Sequence, residues 1–176
     1  MQKTKAVIEA ADINFFVSED LMHKSEVITT QGNKAVLYNG ADERFVKFDE
    51  VRRAALRRQY GVTEKKVVTF VGNFYEVKNV LKIPQIFRYV SAQCSDTVFW
   101  MIGDGKLLSE VKKRSHDLPI TFWGNQPPEK IPEFLNCTEV QILPSLNEGL
   151  PLTMVEALRC GCHAVGSLVG GIPEVI

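Results

Sequence analysis

Two glutamates, Glu148 and Glu156, stand on either side of a predicted helix N-terminus with seven residues between them. An apolar run ends at Leu143, and a helical pattern begins at Leu152. The first turn of a helix has free backbone N–H groups and the positive end of the dipole, and both favour an anion. If the intervening residues are mostly helical, the carboxylates lie roughly 12 Å apart along the axis, at about 1.5 Å per residue. That separation excludes a close acid/base pair and predicts that the two carboxylates hold opposite ends of one elongated anionic ligand.

The composition limits the classes of protein to consider. The chain has 176 residues, 45% of them hydrophobic and 24% charged, which suits one well-packed domain with a short appendage. Its formal net charge is zero, so no global charge favours nucleic acid as a partner. No apolar run approaches the roughly 20 residues of a transmembrane helix, and the N-terminus lacks the apolar segment of a signal peptide.

The cysteines predict a reduced, cytoplasmic protein. There are four, and their positions show neither a disulfide framework nor the paired spacing of a zinc site. Cys160 and Cys162, although beside His163, are interpreted as small apolar residues at a helix end and a strand start rather than as metal ligands.

Apolar strands alternate with amphipathic helices from Asp49 onward. The predicted strands cover residues 67–71, 98–102, 120–123, 140–143 and 163–166. The predicted helices cover residues 49–60, 77–92, 106–115, 129–135 and 152–159, with Pro84 bending the second helix or marking its true start. This alternation predicts an α/β fold, a doubly wound Rossmann-like parallel sheet with helices on both faces. Right-handed crossovers then place the loops after the strands at one edge, where ligands bind.

The first 45 residues follow a different pattern. They contain a short helical segment, an apolar run over 13–17, a helix over 19–28 capped by Ser18, and a strand over 34–38. This portion is too small to have its own core, so residues 1–45 are predicted to be the remnant of a neighbouring N-terminal domain and its linker, or an arm packed on the main domain. Residues 46–176 form the main domain, which is expected to be incomplete because the sequence ends where another helix should begin.

Arginines are concentrated in the helix over 49–60. Arg52, Arg53, Arg57 and Arg58 follow one another within about two turns. We interpret them as a solvated helix face, and contact with a lipid surface is the alternative.

Glycines and a lysine follow the strands at the predicted ligand edge. Lys78, near a helix start after the first strand, supplies a mobile cation suited to phosphate. A dinucleotide-binding site would need further glycines close after Gly72 and an acidic residue about 20 positions on. Here no second glycine follows Gly72 at that spacing and Asp104 lies 32 positions on, so this class is excluded. Neither a Walker-type phosphate loop nor a Gly-x-Ser-x-Gly elbow occurs. The glycines that recur at this edge are Gly72, Gly103, Gly105, Gly124, Gly170 and Gly171.

The motifs together resemble the C-terminal, nucleotide-sugar-binding half of the retaining glycosyltransferases with the GT-B fold, the glycosyl transferases group 1 family. The resemblance runs from about residue 11 to residue 176. It is carried by 12–18 (family pattern AD-x-apolar-VS), 38–42 with Phe45 (PNGVD…F), 70–72 with Lys78 (FVGR…EKG), 102–105 (VGDGP), Gly124 (FLG), 144–157 (PS…EGFPL…EA), 160–161 and 170–174. The two glutamates with seven residues between them, in this order of motifs, are the specific signal.

The resemblance implies a role for each candidate residue. Glu148 would hydrogen-bond the hydroxyls of the donor sugar and Glu156 those of the ribose, while Lys78 neutralises the diphosphate. Glu148 and Lys78 are therefore the expected catalytic residues, and Thr153 either donates its hydroxyl to a phosphate or caps the helix. No metal and no cofactor is required, because the helix dipole and Lys78 stabilise the leaving diphosphate. The expected donor-binding residues are Gly72, Asn73, Lys78, Gly103, Gly124, Glu148, Gly149, Leu150, Leu152, Thr153 and Glu156.

The sequence departs from the family pattern at two positions. Asn73 stands where the family usually has arginine, so one bidentate phosphate contact is missing, and Asn79 replaces the glycine after Lys78. We expect altered contacts to the donor or a lower affinity for it.

The resemblance also implies the partners. These are a nucleotide-sugar donor such as a UDP-sugar, a sugar or lipid-linked acceptor of polysaccharide biosynthesis, no nucleic acid, and peripheral membrane association through an N-terminal domain. That domain would bind the acceptor, so this chain alone should bind nucleotide weakly and transfer little or no sugar. The alternatives are a non-catalytic nucleotide-sugar-binding or interaction module, and a nucleotide-sugar epimerase, for which the sequence offers no evident acid/base residues.

Overall fold

The computed structural model describes residues 2–176, and these residues form seven α-helices and seven β-strands. The helices are α1 (Gln2–Ala10), α2 (Glu19–Ser25), α3 (Glu50–Gln59), α4 (Ile83–Gln93), α5 (Leu108–Arg114), α6 (Ile131–Asn136) and α7 (Leu152–Arg159). The strands are β1 (Asn14–Phe16), β2 (Lys34–Val36), β3 (Lys66–Val71), β4 (Thr97–Ile102), β5 (Ile120–Gly124), β6 (Val140–Leu143) and β7 (His163–Gly166).

Five of these strands form one parallel sheet in the order β5-β4-β3-β6-β7. The central strand, β3, pairs with β4 on one side, with Val67 opposite Val98, and with β6 on the other, with Val68 opposite Val140. The chain therefore adds strands outward in one direction up to β5 and then returns to the other side of β3. This order confirms the predicted α/β doubly wound fold and opens a crevice between β3 and β6 at their carboxyl ends.

Alternating side chains of the strands fill a core on each face of the sheet. On one face, Val67, Val71 and Trp100 pack against α3 and α6. On the other face, Phe70 and Phe99 pack against α4 and α5. α7 contributes to both clusters, through Ala157 on the first face and Met154 on the second. The nearly continuous apolar sequences of β3 and β4 are thus explained by burial on both sides.

α4 begins at Ile83, later than the predicted helix over residues 77–92. Two short 3₁₀ turns, Glu76–Lys78 and Val80–Lys82, precede it, and Pro84 lies in its first turn. Proline is compatible with the start of a helix because the first N–H groups have no intrahelical partner. Pro84 therefore marks the true start, which was one of the two predicted outcomes, and the helix over 77–92 was wrong in its first residues.

The N-terminal segment forms a second, two-stranded parallel sheet from β1 and β2. α2 ends at Ser25 rather than at residue 28, and β2 ends at Val36 rather than at residue 38. The Ser25 hydroxyl donates a 2.6 Å hydrogen bond to the carbonyl of Met22, and such local bonding by serine disfavours continuation of a helix. Ser18 caps α2 as predicted, accepting a hydrogen bond from the backbone N–H of Leu21.

The arginines of α3 do not form a solvated face throughout. Arg53 donates to the carbonyl of Asn136 at 3.0 Å. Arg57, with only 14% of its side chain exposed, bonds Glu139 at 2.6 Å and also donates to the carbonyls of Cys137, Val62 and Lys65. The solvated interpretation was wrong for these two residues, because α3 lies against the segment that leads into β6.

Arg57→Lys should lower the free energy of unfolding by about 2 kcal/mol, since an ammonium cannot reach the acceptors that the planar guanidinium bonds at once. Urea denaturation measures this loss. Arg58→Lys is the matched control, because Arg58 is the next residue and is exposed, and it should change the free energy by less than about 0.5 kcal/mol. Equal effects of the two substitutions would contradict a structural role for Arg57.

Candidate functional site

An ion pair lies in the crevice between β3 and β6. Lys78 ends the 3₁₀ turn after β3, Glu148 lies in the loop after β6, and their Nζ and Oε1 atoms are 2.6 Å apart. The side chains are only 23% and 11% exposed, respectively. The structure thus brings the two expected catalytic residues into direct contact, although 70 residues separate them in the sequence.

Ser145 fixes the same carboxylate from the other side. Its buried hydroxyl donates to Oε1 of Glu148 at 2.6 Å, so Oε1 accepts from both Lys78 and Ser145. Within residues 2–176 the other oxygen, Oε2, has no hydrogen-bond partner and can accept one from a ligand. The sequence analysis gave Ser145 no role, and its position in the Pro-Ser motif three residues before Glu148 was the available signal.

The N-terminus of α7 follows directly. The helix begins at Leu152 after Pro151, so 148–151 is a loop, and the separation of roughly 12 Å estimated for a mostly helical stretch does not apply. Pro151 is the residue before the first turn of α7. Proline has no N–H and no side-chain oxygen, so α7 starts without a side-chain cap.

Four backbone N–H groups at this helix start have no acceptor in the described part of the chain. They belong to Gly149, Leu150, Leu152 and Thr153. The Thr153 hydroxyl forms no capping hydrogen bond either, so the structure does not support the expectation that it caps the helix. Free N–H groups at the positive end of a helix dipole, next to Lys78, make a site suited to an anion.

Glu156 lies one turn further along α7, and burial raises its pKa to about 7. The Arg44 guanidinium opposes this rise in pKa, and the Asp42 carboxylate adds to it. Arg44 is itself held by Asp42 at 2.8 Å and by Glu129 at 3.4 Å, and its hydrogen bonds lower the pKa of Asp42 to about 2. The sequence did not predict that the charges of Asp42 and Arg44 act on Glu156, since this effect depends on how the linker folds near α7.

The glycines after β3, β4 and β5 lie side by side. The N–H of Gly103 donates to the carbonyl of Gly124 at 2.8 Å, and the N–H of Gly72 donates to the carbonyl of Ile102 at 3.0 Å. A Cβ at Gly103 would overlap the carbonyl oxygen of Gly72, so only glycine permits this close approach of two backbones. The predicted glycines therefore share one edge of the sheet.

Two asparagines depart from the family pattern in this region, and the structure shows the conformation of each. Asn73 is exposed, and its side chain has no hydrogen bond within the described chain. Asn79 has a φ of +52°, in the left-handed region that glycine favours and asparagine tolerates. The change from glycine to asparagine at position 79 thus keeps the turn that glycine would make.

Two further features limit the chemistry of the described residues. Between residues 2 and 176, no group of three or more His, Cys, Asp or Glu side chains could hold a metal ion, and all four cysteines are free thiols. No helix in this range is long and apolar enough to cross a membrane.

A doubly wound parallel sheet with an uncapped helix N-terminus and a lysine–glutamate pair at its switch point defines an open α/β domain of the class that binds ligands at the carboxyl ends of its strands. The profile of the family "Glycosyl transferases group 1" matches residues 52–176. The chain belongs to this family.

Curated proteins with similar sequences are glycosyltransferases. The chain is 31% identical over 176 residues to N-acetyl-alpha-D-glucosaminyl L-malate synthase of Bacillus anthracis, with 96% of the chain and 45% of that protein covered. It is 32% identical over 114 residues to a UDP-Gal:alpha-D-GlcNAc-diphosphoundecaprenol alpha-1,3-galactosyltransferase of Escherichia coli, with 60% of the chain and 28% of that protein covered. The chain thus spans less than half the length of these relatives.

Solved glycosyltransferase structures have the same fold. HepE of Anabaena, in complex with UDP and glucose, aligns with a TM-score of 0.77 at 22% identity. The alignment covers 100% of this chain and 51% of the HepE chain. Sucrose-phosphate synthase of Thermosynechococcus elongatus aligns with a TM-score of 0.82 at 20% identity. The alignment covers 98% of this chain and 45% of the synthase chain. At these identities the likeness establishes the fold.

Glu156→Gln should stabilise the chain at pH 8 and have little effect at pH 5. Because the folded pKa of about 7 lies above the ordinary value of 4.5, the folded chain binds this proton more tightly than the unfolded chain. The stability that Glu156 contributes is therefore full below pH 4.5 and declines as the pH rises through about 7. A gain of about 1 kcal/mol would raise the Tm by about 2–4 °C, which thermal denaturation at both pH values measures.

Glu110→Gln is the control, because the pKa of Glu110 is shifted downward whereas that of Glu156 is shifted upward. The Arg114 side chain lowers the pKa of Glu110 by hydrogen bonding, so loss of this charge should not raise the Tm at pH 8. A Tm increase for Glu156→Gln of the same size at both pH values would refute the ionisation argument.

Proposed function

We propose that this chain is the donor-binding part of a retaining, metal-independent glycosyltransferase that uses a nucleoside diphosphate sugar. The observation that carries the proposal is the Lys78–Glu148 pair beside the uncapped start of α7. A diphosphate needs a cation and N–H donors, and a sugar needs a hydrogen-bond acceptor. All three lie within the β3–β6 crevice, where ligands of open α/β sheets bind.

In this proposal the diphosphate binds the free N–H groups of Gly149, Leu150 and Leu152, and Lys78 turns toward it. Glu148, held through Oε1 by Ser145, offers Oε2 to a sugar hydroxyl. As the bond between the sugar and the diphosphate breaks, negative charge grows on the phosphate oxygens, where Lys78 and the helix dipole stabilise it.

The nucleoside end of the ligand belongs at Glu156. Its half-buried carboxyl has no hydrogen-bond partner within residues 2–176, and ribose hydroxyls would supply one. Ionisation of Glu156, which is costly in the empty site, becomes more favourable when two hydroxyls donate to it. The remaining expected donor-binding residues lie at the same edge of the sheet: Gly72, Asn73, Gly103 and Gly124 at the ends of β3, β4 and β5, and Thr153 in the first turn of α7.

The donor nucleotide, the acceptor and the location are also proposed. UDP is the first candidate nucleotide, because HepE was crystallised with UDP and the Escherichia coli relative is named for UDP-Gal. The acceptor, a sugar or a lipid-linked sugar, would bind to a further domain that can also contact a membrane surface, and the free thiols suit the reducing cytoplasm. No cofactor takes part in the proposed reaction.

The competing proposal is a non-catalytic nucleotide-sugar-binding or interaction module. Two observations favour it: Asn73 offers no charge to a phosphate, and Lys78 is already neutralised by Glu148. The free N–H groups and the unpartnered Glu148 Oε2 favour the transferase, since neither is needed by a module that binds no donor.

Calorimetric titration with UDP, GDP and ADP tests donor binding. We expect weak binding, in the range from micromolar to millimolar, and a preference for one nucleotide. Sugar transfer by these 176 residues alone should be negligible, because the proposal assigns acceptor binding to a further domain. Failure of all three nucleotides to bind at millimolar concentration would eliminate both the transferase and the nucleotide-sugar-binding module.

Lys78→Ala should weaken UDP binding by about tenfold or more while leaving uridine binding unchanged, because a hydrogen bond to a charged group contributes about 1.5–3 kcal/mol. Titration of each variant with UDP and with uridine separates the two effects. Lys82→Ala is the matched control, since Lys82 is exposed in the next 3₁₀ turn and should not alter either affinity. Equal losses for UDP and uridine would show that Lys78 does not contact the diphosphate.

A further inference from the structure

The Glu174 carboxylate joins the end of the chain to its N-terminal segment. Its Oε2 accepts a 2.8 Å hydrogen bond from the backbone N–H of Glu19, and its Oε1 accepts one of 3.1 Å from the N–H of Asp20. These N–H groups belong to the first turn of α2 and have no intrahelical acceptor. Glu174 therefore acts as a helix cap from 155 residues away, and both of its oxygens are used.

This contact lies next to the loop that carries Glu148. The N–H of Gly171 donates to the carbonyl of Glu148 at 3.3 Å, and a Cβ at Gly171 would overlap the carbonyl oxygen of Gly149. Gly171 also lies against Ser18, whose side chain is fully buried and caps α2. The turn of residues 170–171 thus supports one side of the Glu148–Gly149 loop.

The N-terminal segment supports the other side of the same loop. A Cβ at Gly149 would lie 3.3 Å from Cδ1 of Leu21 and 3.4 Å from Cγ2 of Val17, so both side chains contact this glycine closely. Leu21 belongs to α2, and Val17 precedes it. The loop that presents Glu148 is therefore enclosed between α2 and the 170–171 turn, and Glu174 connects these two supports.

We propose that Glu174 is a positioning residue for the donor site: by holding the N-terminus of α2, it keeps Val17 and Leu21 against Gly149 and so fixes Glu148 for the sugar part of the ligand. This inference rests on the proposed function. When the contact opens, the loop loses one of its two supports, while Lys78, the α7 N-terminus and Glu156 keep theirs. Loss of the contact should therefore weaken binding of the sugar more than binding of the nucleoside diphosphate, because the Gly149 N–H is only one of several proposed contacts to the diphosphate.

Glu19→Pro tests the contact without altering Glu174. Proline removes the N–H that bonds Oε2, yet it is tolerated at the first position of a helix, and Ser18 has the extended backbone that a residue before proline requires. Glu19→Ala is the matched control, because it removes the side chain and keeps the N–H. Glu174→Gln, which preserves size and replaces one acceptor oxygen with an NH₂ group, tests the same contact from the other side.

The measurement is calorimetric affinity for UDP and for three UDP-sugars, UDP-glucose, UDP-galactose and UDP-N-acetylglucosamine. If the unaltered chain prefers GDP or ADP, that nucleotide and its sugars replace UDP and the UDP-sugars. For the UDP-sugar that the unaltered chain binds most tightly, we expect Glu19→Pro and Glu174→Gln to lower the affinity by about three- to tenfold. Affinity for UDP should stay within twofold, and Glu19→Ala should match the unaltered chain for both ligands. Hydrogen exchange at Asp20 should become faster in Glu174→Gln than in the unaltered chain.

Each outcome separates the inference from the proposed function. If the unaltered chain binds none of UDP, GDP and ADP nor their sugars, the proposed function and the inference both fall. If it binds them and the two test variants retain the same affinity for the UDP-sugar, only the role of Glu174 is overturned. Equal losses for UDP and UDP-sugar would indicate general destabilisation and would likewise overturn the positioning role.

Discussion

The parallel pairing of β3 with β4 on one side and β6 on the other is the constraint on which the rest of the structure depends. Parallel neighbours require crossovers, and right-handed crossovers place successive helices on a fixed face of the sheet. Because the chain reverses its direction of addition at β3, the loops after β3 and β6 diverge and leave a crevice. Lys78 and Glu148 come from these two loops, so their meeting follows from strand order.

The residues in that crevice are not in their most stable arrangement. The first turn of α7 has no cap, the Glu156 carboxyl is half-buried with a raised pKa, and Glu148 leaves one oxygen without a partner. The uncapped helix start and the raised pKa of Glu156 each cost folding free energy that a serine cap or a glutamine would save. Binding sites commonly retain such costs, because the groups that a ligand will satisfy must stay unsatisfied until it arrives.

Local sequence patterns predicted the strands, the fold and the edge on which the candidate residues lie. Apolar runs flanked by glycine give this information directly, and Leu152–Arg159 matches the predicted helix at both ends. Contacts between distant segments were not predictable from these patterns. The inward orientation of Arg57 depends on Glu139, and the role of Glu174 depends on Glu19, so both required the folded chain. The assumption of helix across 148–151 failed because Pro151 delays its start.

The Lys78–Glu148 pair affects which solutes can bind beside it. A lone ammonium beside a helix N-terminus would attract inorganic phosphate and every free nucleotide, all of which are abundant in cells. With the glutamate already bound to it, the lysine presents little net charge, and a solute that takes the lysine must also satisfy the carboxylate that it leaves behind. A free phosphate cannot satisfy that carboxylate, because it would bring a second negative charge to Glu148. A sugar diphosphate carries both phosphates for the lysine and hydroxyls for the carboxylate. Under the proposed function, the pair would therefore favour a sugar diphosphate over a free phosphate or a free nucleotide, which would bind more weakly.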